Sequence, residues 1–326
     1  MGKILNFTWA FVCLAGLASS EILYNKEQLE LAEFSQFVQR FGKAYKDIGE
    51  AIERQKVFES NLIHIKEVNA KNLDWVLGVN QFSDLAPSEF ADMLLGNVET
   101  EEVKGEYQKN LRIPTTIDWR SKNVVTPILN QGSCSCGYAF ASTGALESAW
   151  ALNGHKLTML SVQQALDCSL GNKGCTSGSA KNCFTYMQTS GLTNSTLYPY
   201  SGSSGRCNKT AAALLVAKSS SYINVTTSSS NALLSAIVLQ PVAVGVYANP
   251  TIWQSYAGGT VSDVSCGTSI NHFVLAIGYS ISATVPYYIV KNSWGPAWGK
   301  DGFMQIAVVD GPGICGIQLA PSYPVV

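Results

Sequence analysis

Residues 134–152 read CSCGYAFASTGALESAWAL, and the way this stretch sits in the chain decides the fold. From Tyr138 onward it is one long helical pattern, preceded by two thiols, Cys134 and Cys136, and a glycine, Gly137. A shorter helical pattern, LSVQQALDC, occupies 160–168, with Ser161 placed to cap it. After about residue 215 the texture changes. PVAVGVYA, NHFVLAIGY, PYYIVKNSW and GFMQIAV are short β-rich runs split by Gly, Pro and Ser. A helical half followed by a strand half predicts an α+β unit of two lobes with a cleft between them, and such clefts are common binding sites.

Upstream, residues 21 to about 95 read as helical. In EAIERQKVFESNLIHIKEVNAKN (50–72), Ile52, Phe58, Leu62 and Ile65 form an amphipathic pattern, and Glu50 and Arg54 are spaced to pair on the surface. NVETEEVKGEYQKN (97–110) is polar, lacks apolar periodicity and reads as a linker suited to a proteolytic cut.

The chain has 326 residues, of which 46% are hydrophobic and 14% charged, which excludes wholesale disorder. A net charge of -1 gives no case for nucleic acid. The charge is uneven: residues 1–112 carry a net -5 and residues 113–326 a net +4, so the two parts can attract each other. Residues 1–20 have the form of a signal peptide: Lys3, an apolar run too short for a comfortable membrane span, then small residues before Glu21. The eight remaining cysteines all lie in the back half, and an even set in an exported chain points to disulfides. Glycosylation acceptors at Asn194, Asn208 and Asn224 are consistent with a secretory route. No cofactor or metal is expected, and no membrane association after signal removal.

The chemistry is carried by few residues. His64 lies in the front helix, His155 in a polar turn, and His272 at the start of an apolar strand. About twenty residues after His272, Asn292 ends another strand and Trp294 follows in a Gly-rich turn. An amide at a strand end can orient an imidazole, and an indole can shield that hydrogen bond from water. A Cys or Ser nucleophile needs such an oriented base. Gln131, in NQGSC, offers an amide that can donate to an oxyanion.

These motifs resemble the papain family of cysteine proteases, in its cathepsin L-like branch, over nearly the whole chain. Glu50, Arg54, Phe58, Asn61, Ile65 and Asn69 match the interrupted ERFNIN motif of the proproteins, and Gly78, Asn80, Phe82 and Asp84 match their GNFD motif. IPTTIDWR resembles the start of a mature enzyme, and GCTSG, YPYSG, KNSWGPAWG and ICGI follow in the family's order. The resemblance implies residues 21–112 as an inhibitory propeptide running through the cleft in the non-productive direction. It implies residues 113–326 as a two-lobed peptidase domain, a helical lobe plus a β-barrel-like lobe. It also implies disulfides Cys134–Cys175, Cys168–Cys207 and Cys266–Cys315, with Cys136 and Cys183 left over. Gly178 matches a glycine whose backbone pairs with substrate. The partners implied are polypeptides in the cleft and the chain's own propeptide. The expected form is a monomer, in a lysosome, an acidic vacuole or outside the cell.

One position departs. The family reads Gln-Gly-x-Cys-Gly-Ser-Cys-Trp-Ala-Phe, whereas residues 131–140 read QGSCSCGYAF. Aligned without gaps, Gly137 stands in the nucleophile slot, Tyr138 replaces tryptophan and Cys136 takes the preceding position. Glycine cannot form a thiolate or an acyl-enzyme. Loss of a nucleophile removes on the order of 10⁶-fold of rate in a serine protease. Cys136 is the displaced candidate, and a helix N-terminus favours its thiolate. Yet one helical residue is about 100° of rotation, which turns its sulfur from the imidazole. Otherwise Cys136 is a free thiol or a partner for Cys183. A serine-type relative such as the silicateins shares Tyr-Ala-Phe but needs a hydroxyl in the slot. Three readings follow: a non-catalytic homologue, a thiol endopeptidase using Cys136, and, last, the serine-type relative. Thr176 and Ser177 replace the usual Asn-Gly ahead of Gly178, which raises the question of whether the cleft wall keeps its shape.

Overall fold

The computed structural model describes residues 32–96, 98, 103 and 111–326; the signal-like segment and most of the 97–110 linker lie outside the described residues. The proregion opens with helix α1 (32–41) and helix α2 (Ile48–Asn69), whose start is capped by the Asp47 carboxylate accepting from the Glu50 amide. Phe34, Phe37 and Phe58 make an aromatic core between the two helices. Further along α2, Ile65 and Val68 face the main body, while Ile52 is 48% exposed. The buried face of α2 therefore begins at Phe58, and Ile52 lies outside it.

The expected Glu50–Arg54 pair does not form. Arg54 reaches across to Glu89 at 2.7 Å and to the Asp84 carbonyl, and the Glu50 carboxylate instead accepts from the Lys46 amide. Glu89 lies in the first turn of helix α3 (Pro87–Leu94), where its carboxylate also accepts from the Ala86 amide. Long-range partners win because an exposed pair within one helix contributes only a few tenths of a kcal/mol. Asn61 donates to the Ser83 and Leu85 carbonyls, and Asp84 receives Lys43 and Tyr45. The motif residues thus tie α2 to the loop that leads into α3. Between the helices, a strand interrupts the helical reading: β1 (Trp75–Leu77), fixed to α2 by two hydrogen bonds between Asn69 and Leu77.

The main body begins with strand β2 (Thr116–Asp118) and then the central helix α4 (Gly137–Leu152), buried from Gly137 to Ala149 apart from Phe140. Helices α5 (Val162–Cys168), α6 (Ala180–Thr189) and the short α7 (Lys209–Ala212) complete the helical lobe. The Ser161 hydroxyl caps α5 as its sequence predicts. Strand β3 (Ser221–Asn224) opens the β lobe, followed by helix α8 (Ser230–Leu239), which the β-like reading of this half does not anticipate. Its SNALLSAIVL run is buried over most of its length and carries no polar period to reveal it. Strands β4 (Val242–Val246), β5 (Tyr256–Val261), β6 (His272–Ser280), β7 (Tyr287–Lys291), β8 (Phe303–Ala307) and β9 (Ser322–Val325) follow, with the short helix α9 (Pro250–Trp253) after β4. The sheet order is β1-β5-β8-β7-β6-β4-β9-β3, with β2 on β6. Three disulfides, Cys134–Cys175, Cys168–Cys207 and Cys266–Cys315, join the pairs that the resemblance implies.

The first strand in that order belongs to the proregion. Strand β1 adds antiparallel to β5, and Gly259 takes a positive φ of 81° where the proregion backbone passes. A Cβ at Gly259 would collide with the Asp74 carbonyl and lie 2.6 Å from the Trp75 Cα, so only glycine fits. Asn80 donates to the Gln254 carbonyl, and the Gln254 amide donates to the Phe82 and Leu85 carbonyls. The rings of Phe82 and Phe90 meet Trp294 edge-on. The ion pairs between described residues lie within the proregion or within the main body (Lys43–Asp84 and Arg54–Glu89 on one side, Arg120–Asp118 on the other). Over these residues the docking is a matter of strand pairing, side-chain amides donating to backbone carbonyls, and aromatic packing.

The hydrogen bond from Arg54, with the Ala86 amide, holds the Glu89 carboxyl below the usual range. A depressed folded value means this pair stabilises the proregion fully above the ordinary carboxylate pKa and less as pH falls through the lowered one. Glu89→Gln is therefore expected to lower the thermal midpoint of proregion unfolding at neutral pH. The difference from the parent should shrink on acidification below the carboxylate range. Calorimetry across pH tests this; a constant difference at all pH values would refute it.

Candidate active-site cleft

His272 begins β6 and Asn292 follows directly on β7, its neighbour in the sheet. Their side chains meet: His272 Nε2 lies 2.9 Å from Asn292 Oδ1. The amide oxygen also accepts from the Ser293 backbone, so it faces the ring as an acceptor and Nε2 carries the proton. Nδ1 is then the free base. Trp294 stacks on the imidazole at 4.9 Å with rings 25° apart, and Trp253 closes a second side edge-on. Trp253, Trp294 and Trp298 are all fully buried. His272 is 3% exposed, and burial pulls its pKa down to about 4, against a smaller raising effect of the Asn292 bond. The ring is neutral throughout the range in which an ordinary histidine titrates.

What Nδ1 faces is Gly137, the first residue of α4. A Cβ built on Gly137 would collide with His272 Cε1, lie 2.5 Å from Nδ1 and lie 2.8 Å from the Phe273 carbonyl oxygen. The imidazole and the β6 backbone therefore stand in the volume that any side chain at Gly137 would require. Even alanine is excluded unless the ring or the strand moves.

Cys136 points elsewhere. It is 0% exposed and belongs to the helical-lobe core. Its sulfur lies 3.2 Å from the Tyr200 hydroxyl, which itself donates to the Gln131 carbonyl at 2.7 Å. Since the single phenolic proton is committed there, the Cys136 S–H donates to Tyr200. Burial pushes this thiol up to about 12, which overrides the lowering expected at a helix N-terminus. Cys183 does not bond to it. Both thiols are free and buried, and burial likewise pushes Cys183 up to about 11, with the Asn172 amide donating to its sulfur at 3.3 Å.

Gln131 is fully buried with its amide engaged on both sides. Nε2 donates to the Cys134 carbonyl and, at 3.1 Å, to the Leu94 carbonyl at the end of α3; Oε1 accepts from Ser293 Oγ at 2.7 Å. The donor proposed for an oxyanion is thus held on a proregion carbonyl. Two residues on, the Gly96 amide donates to the Asn271 carbonyl beside His272. The proregion passes directly over the Gln131–His272 pair.

The opposite wall keeps its shape despite Thr176 and Ser177. Neither adopts a positive φ, so glycine is not demanded there. Gly178 is demanded, because the Tyr138 ring lies where its Cβ would go, and the Tyr138 hydroxyl donates to the Gly174 carbonyl at 2.8 Å. Tyr138 and the Cys134–Cys175 disulfide together pin this loop to the start of α4. Tyr200, Trp253 and Ser293 were not singled out from sequence. Tyr200 sits in YPYSG and Ser293 in KNSWG, so both lay within quoted motifs, whereas Trp253 had no local signal. Beneath the cleft, Lys291 donates to Thr126 and Thr126 donates to Glu147, a polar chain that ties β7 to α4 through buried groups. Among the described residues no group of side chains could hold a metal ion, and no helix is long and apolar enough to cross a membrane.

Residues 113–325 match the papain family cysteine protease domain, and residues 34–90 match the cathepsin propeptide inhibitor domain. The chain is 35% identical to the senescence-specific cysteine protease SAG39 of Oryza sativa subsp. japonica, over 96% of this chain and 95% of that protein. It is also 35% identical to the thiol protease aleurain of Arabidopsis thaliana, over 90% of this chain and 84% of that one. A solved recombinant stem bromelain precursor matches with a TM-score of 0.86 at 33% identity, covering 91% of this chain and 99% of that one. Digestive procathepsin L 3 from the larval midgut of Tenebrio molitor matches with a TM-score of 0.84 at 34% identity, with the same coverage. With both lobes, the His272–Asn292 pair and the proregion laid across them, the chain belongs to the papain family of cysteine proteases and carries the inhibitory propeptide of their zymogens.

Proposed function

We propose that this chain is a non-catalytic papain-family zymogen homologue, made for the secretory route, that binds polypeptide chain in its cleft without cleaving it. The observation that carries this reading is the contact between Gly137 and His272. The slot has no side chain, and the space that one would fill is taken by the imidazole and the Phe273 carbonyl. Hydrolysis through a covalent intermediate needs a thiolate within reach of Nδ1. Cys136 offers a protonated thiol bonded to Tyr200 on another side of the helix, and His272 is too weak a base when buried to draw its proton. The binding half of the reading is supported by Gln131 and Asn271, which already hold proregion backbone. The apolar N-terminal run, the three disulfides and the glycosylation acceptors support export.

Three measurements test this. The acidified full chain, treated with a thiol-directed epoxide and then given a peptide with an apolar P2 residue, is expected to show neither label at Cys136 nor turnover. Label together with turnover would sink the reading. The second is a double-mutant cycle. Gly137→Ala should destabilise by about 1–3 kcal/mol, as overpacking does, and His272→Ala should relieve most of that loss. Equal losses with and without the imidazole would show that the ring does not fill the slot. For the same reason Gly137→Cys, the substitution that restores the missing thiol, should fall on the order of 10²-fold short of an active relative, because the ring must retreat by ~1 Å. Full activity with an unchanged midpoint would count against the reading.

A further inference from the structure

The glycosylation acceptors Asn194, Asn208 and Asn224 stand in different places in the fold. Asn208 is exposed at the start of α7, where its Oδ1 accepts from the Ala211 amide. Asn194 sits in a turn, and its Oδ1 accepts from the Thr196 amide and hydroxyl and from the Leu197 amide. Asn224 is half-buried at the end of β3, opposite Ser322 of β9. Side chains alternate along a strand, so Asn224 shares a face with Tyr222, whose ring stacks on Phe184 of α6. Asn224 therefore points between the two lobes, where it lines a cavity of about 410 Å³. A volume of this size lies in the range that seats a small molecule. Lys173 and Ser177 give the wall polar groups, and Phe273, Leu319 and Pro321 give it an apolar side. A pyranose ring matches such a wall, because it presents hydroxyls at its edge and C–H bonds on its faces. Glycosylation replaces one hydrogen on the amide nitrogen and leaves Oδ1 to accept as before. Among the described residues, none of the three amide nitrogens donates to another group.

We propose that Asn224 carries an N-linked glycan whose first N-acetylglucosamine fills this cavity and closes this end of the cleft to polypeptide. The inference rests on the export half of the function proposed above, since the sugar is added on that route, and not on the loss of hydrolysis. Transfer takes place on the extended nascent chain, before β3 pairs with β9. The Asn224 amide nitrogen attacks C1 of a lipid-linked diphosphate oligosaccharide. The N–C1 bond forms, the C1–O bond to the diphosphate breaks with its electron pair, and one amide proton is lost. The strand then folds with the sugar attached, and the cavity supplies the room that a half-buried anchor needs. A glycan on exposed Asn208 runs into water, whereas the one on Asn224 takes space that a chain bound in the cleft would need for a side chain.

The test uses the full chain from a secreting eukaryotic host that leaves high-mannose glycans, with glycopeptides read by mass spectrometry. Asn224 is expected to be occupied. An endoglycosidase that cuts between the first two sugars should release the Asn224 glycan from the native protein at least about tenfold more slowly than after denaturation, as for a bond reached only by local opening. The glycan on Asn208 should leave at similar rates in both states. Asn224→Gln should open the cavity, so that a bulky succinimidyl ester labels Lys173 several-fold faster than in the parent while Lys300, which does not line the cavity, is unchanged. The release rates are read on the unsubstituted chain and stand even where that variant folds poorly. A chain retained in the cell with all three acceptors bare would overturn the export reading and this proposal with it. A secreted chain bare at Asn224 would overturn the proposal alone. So would equal release of its glycan before and after denaturation, or Lys173 labelling indifferent to the sugar.

Discussion

Helix α4 can lie as close to β6 as it does only because the residues between them are small. Gly137, Ala141 and Gly144 recur at intervals of four and three, so they share one face of the helix. A Cβ at Gly144 would stand 3.0 Å from a Leu275 methyl, and one at Gly137 would meet His272 and the Phe273 backbone. Close approach here sets the distance between the lobes, and with it the depth of the cleft. It also explains the state of the imidazole. Freed from a neighbour at Gly137, the ring is enclosed by the helix start on one side and Trp294 on the other, and enclosure is what lowers its pKa.

Gln131, Asn292 and Trp294 all have structural work in this chain. Asn292 holds the ring and also caps the Ser293 amide. Gln131 joins Ser293 to the Cys134 turn, and so couples the end of β7 to the start of α4. Trp294 is the surface on which Phe82 and Phe90 settle. Each is buried, and each removal leaves an unpaired polar group or a void in the core.

The parts legible from sequence were those fixed by local pattern. Short β-rich runs gave β4, β6, β7 and β8, the long helical run gave α4, and Ser161 marked the start of α5. The ordered motifs gave the two lobes, the three disulfide pairs and the approach of His272 to Asn292. Partner choice was not legible where the partner is distant in the chain. Arg54 passes over Glu50 for Glu89, thirty-five residues away, because Glu89 also serves the α3 amide and sits on a folded platform. Helix α8 was hidden because a segment buried over most of its surface carries no wet face to set a period. Cys136 showed the same limit in chemical form. Its place at a helix start argued for a reactive thiolate, yet reactivity is decided by what surrounds the sulfur, and a tyrosine and a closed core surround it.

The proposed loss of hydrolysis changes what sets the lifetime of a bound chain. In an active enzyme, chain bound in the productive direction leaves as product. On the non-catalytic reading proposed for this cleft, bound chain leaves only by dissociation, and its residence is set by the contacts alone. The proregion shows what those contacts are: a carbonyl on Gln131, an amide on Asn271, two aromatic rings on Trp294 and a strand on β5. The first two are contacts to backbone, available to many sequences. The strand on β5 and the seating of Phe82 and Phe90 depend on the folded proregion, so a free peptide forfeits them. Proregion and peptide thus differ in affinity mainly through the folding of α2 and α3, and whatever unfolds those helices also opens the cleft.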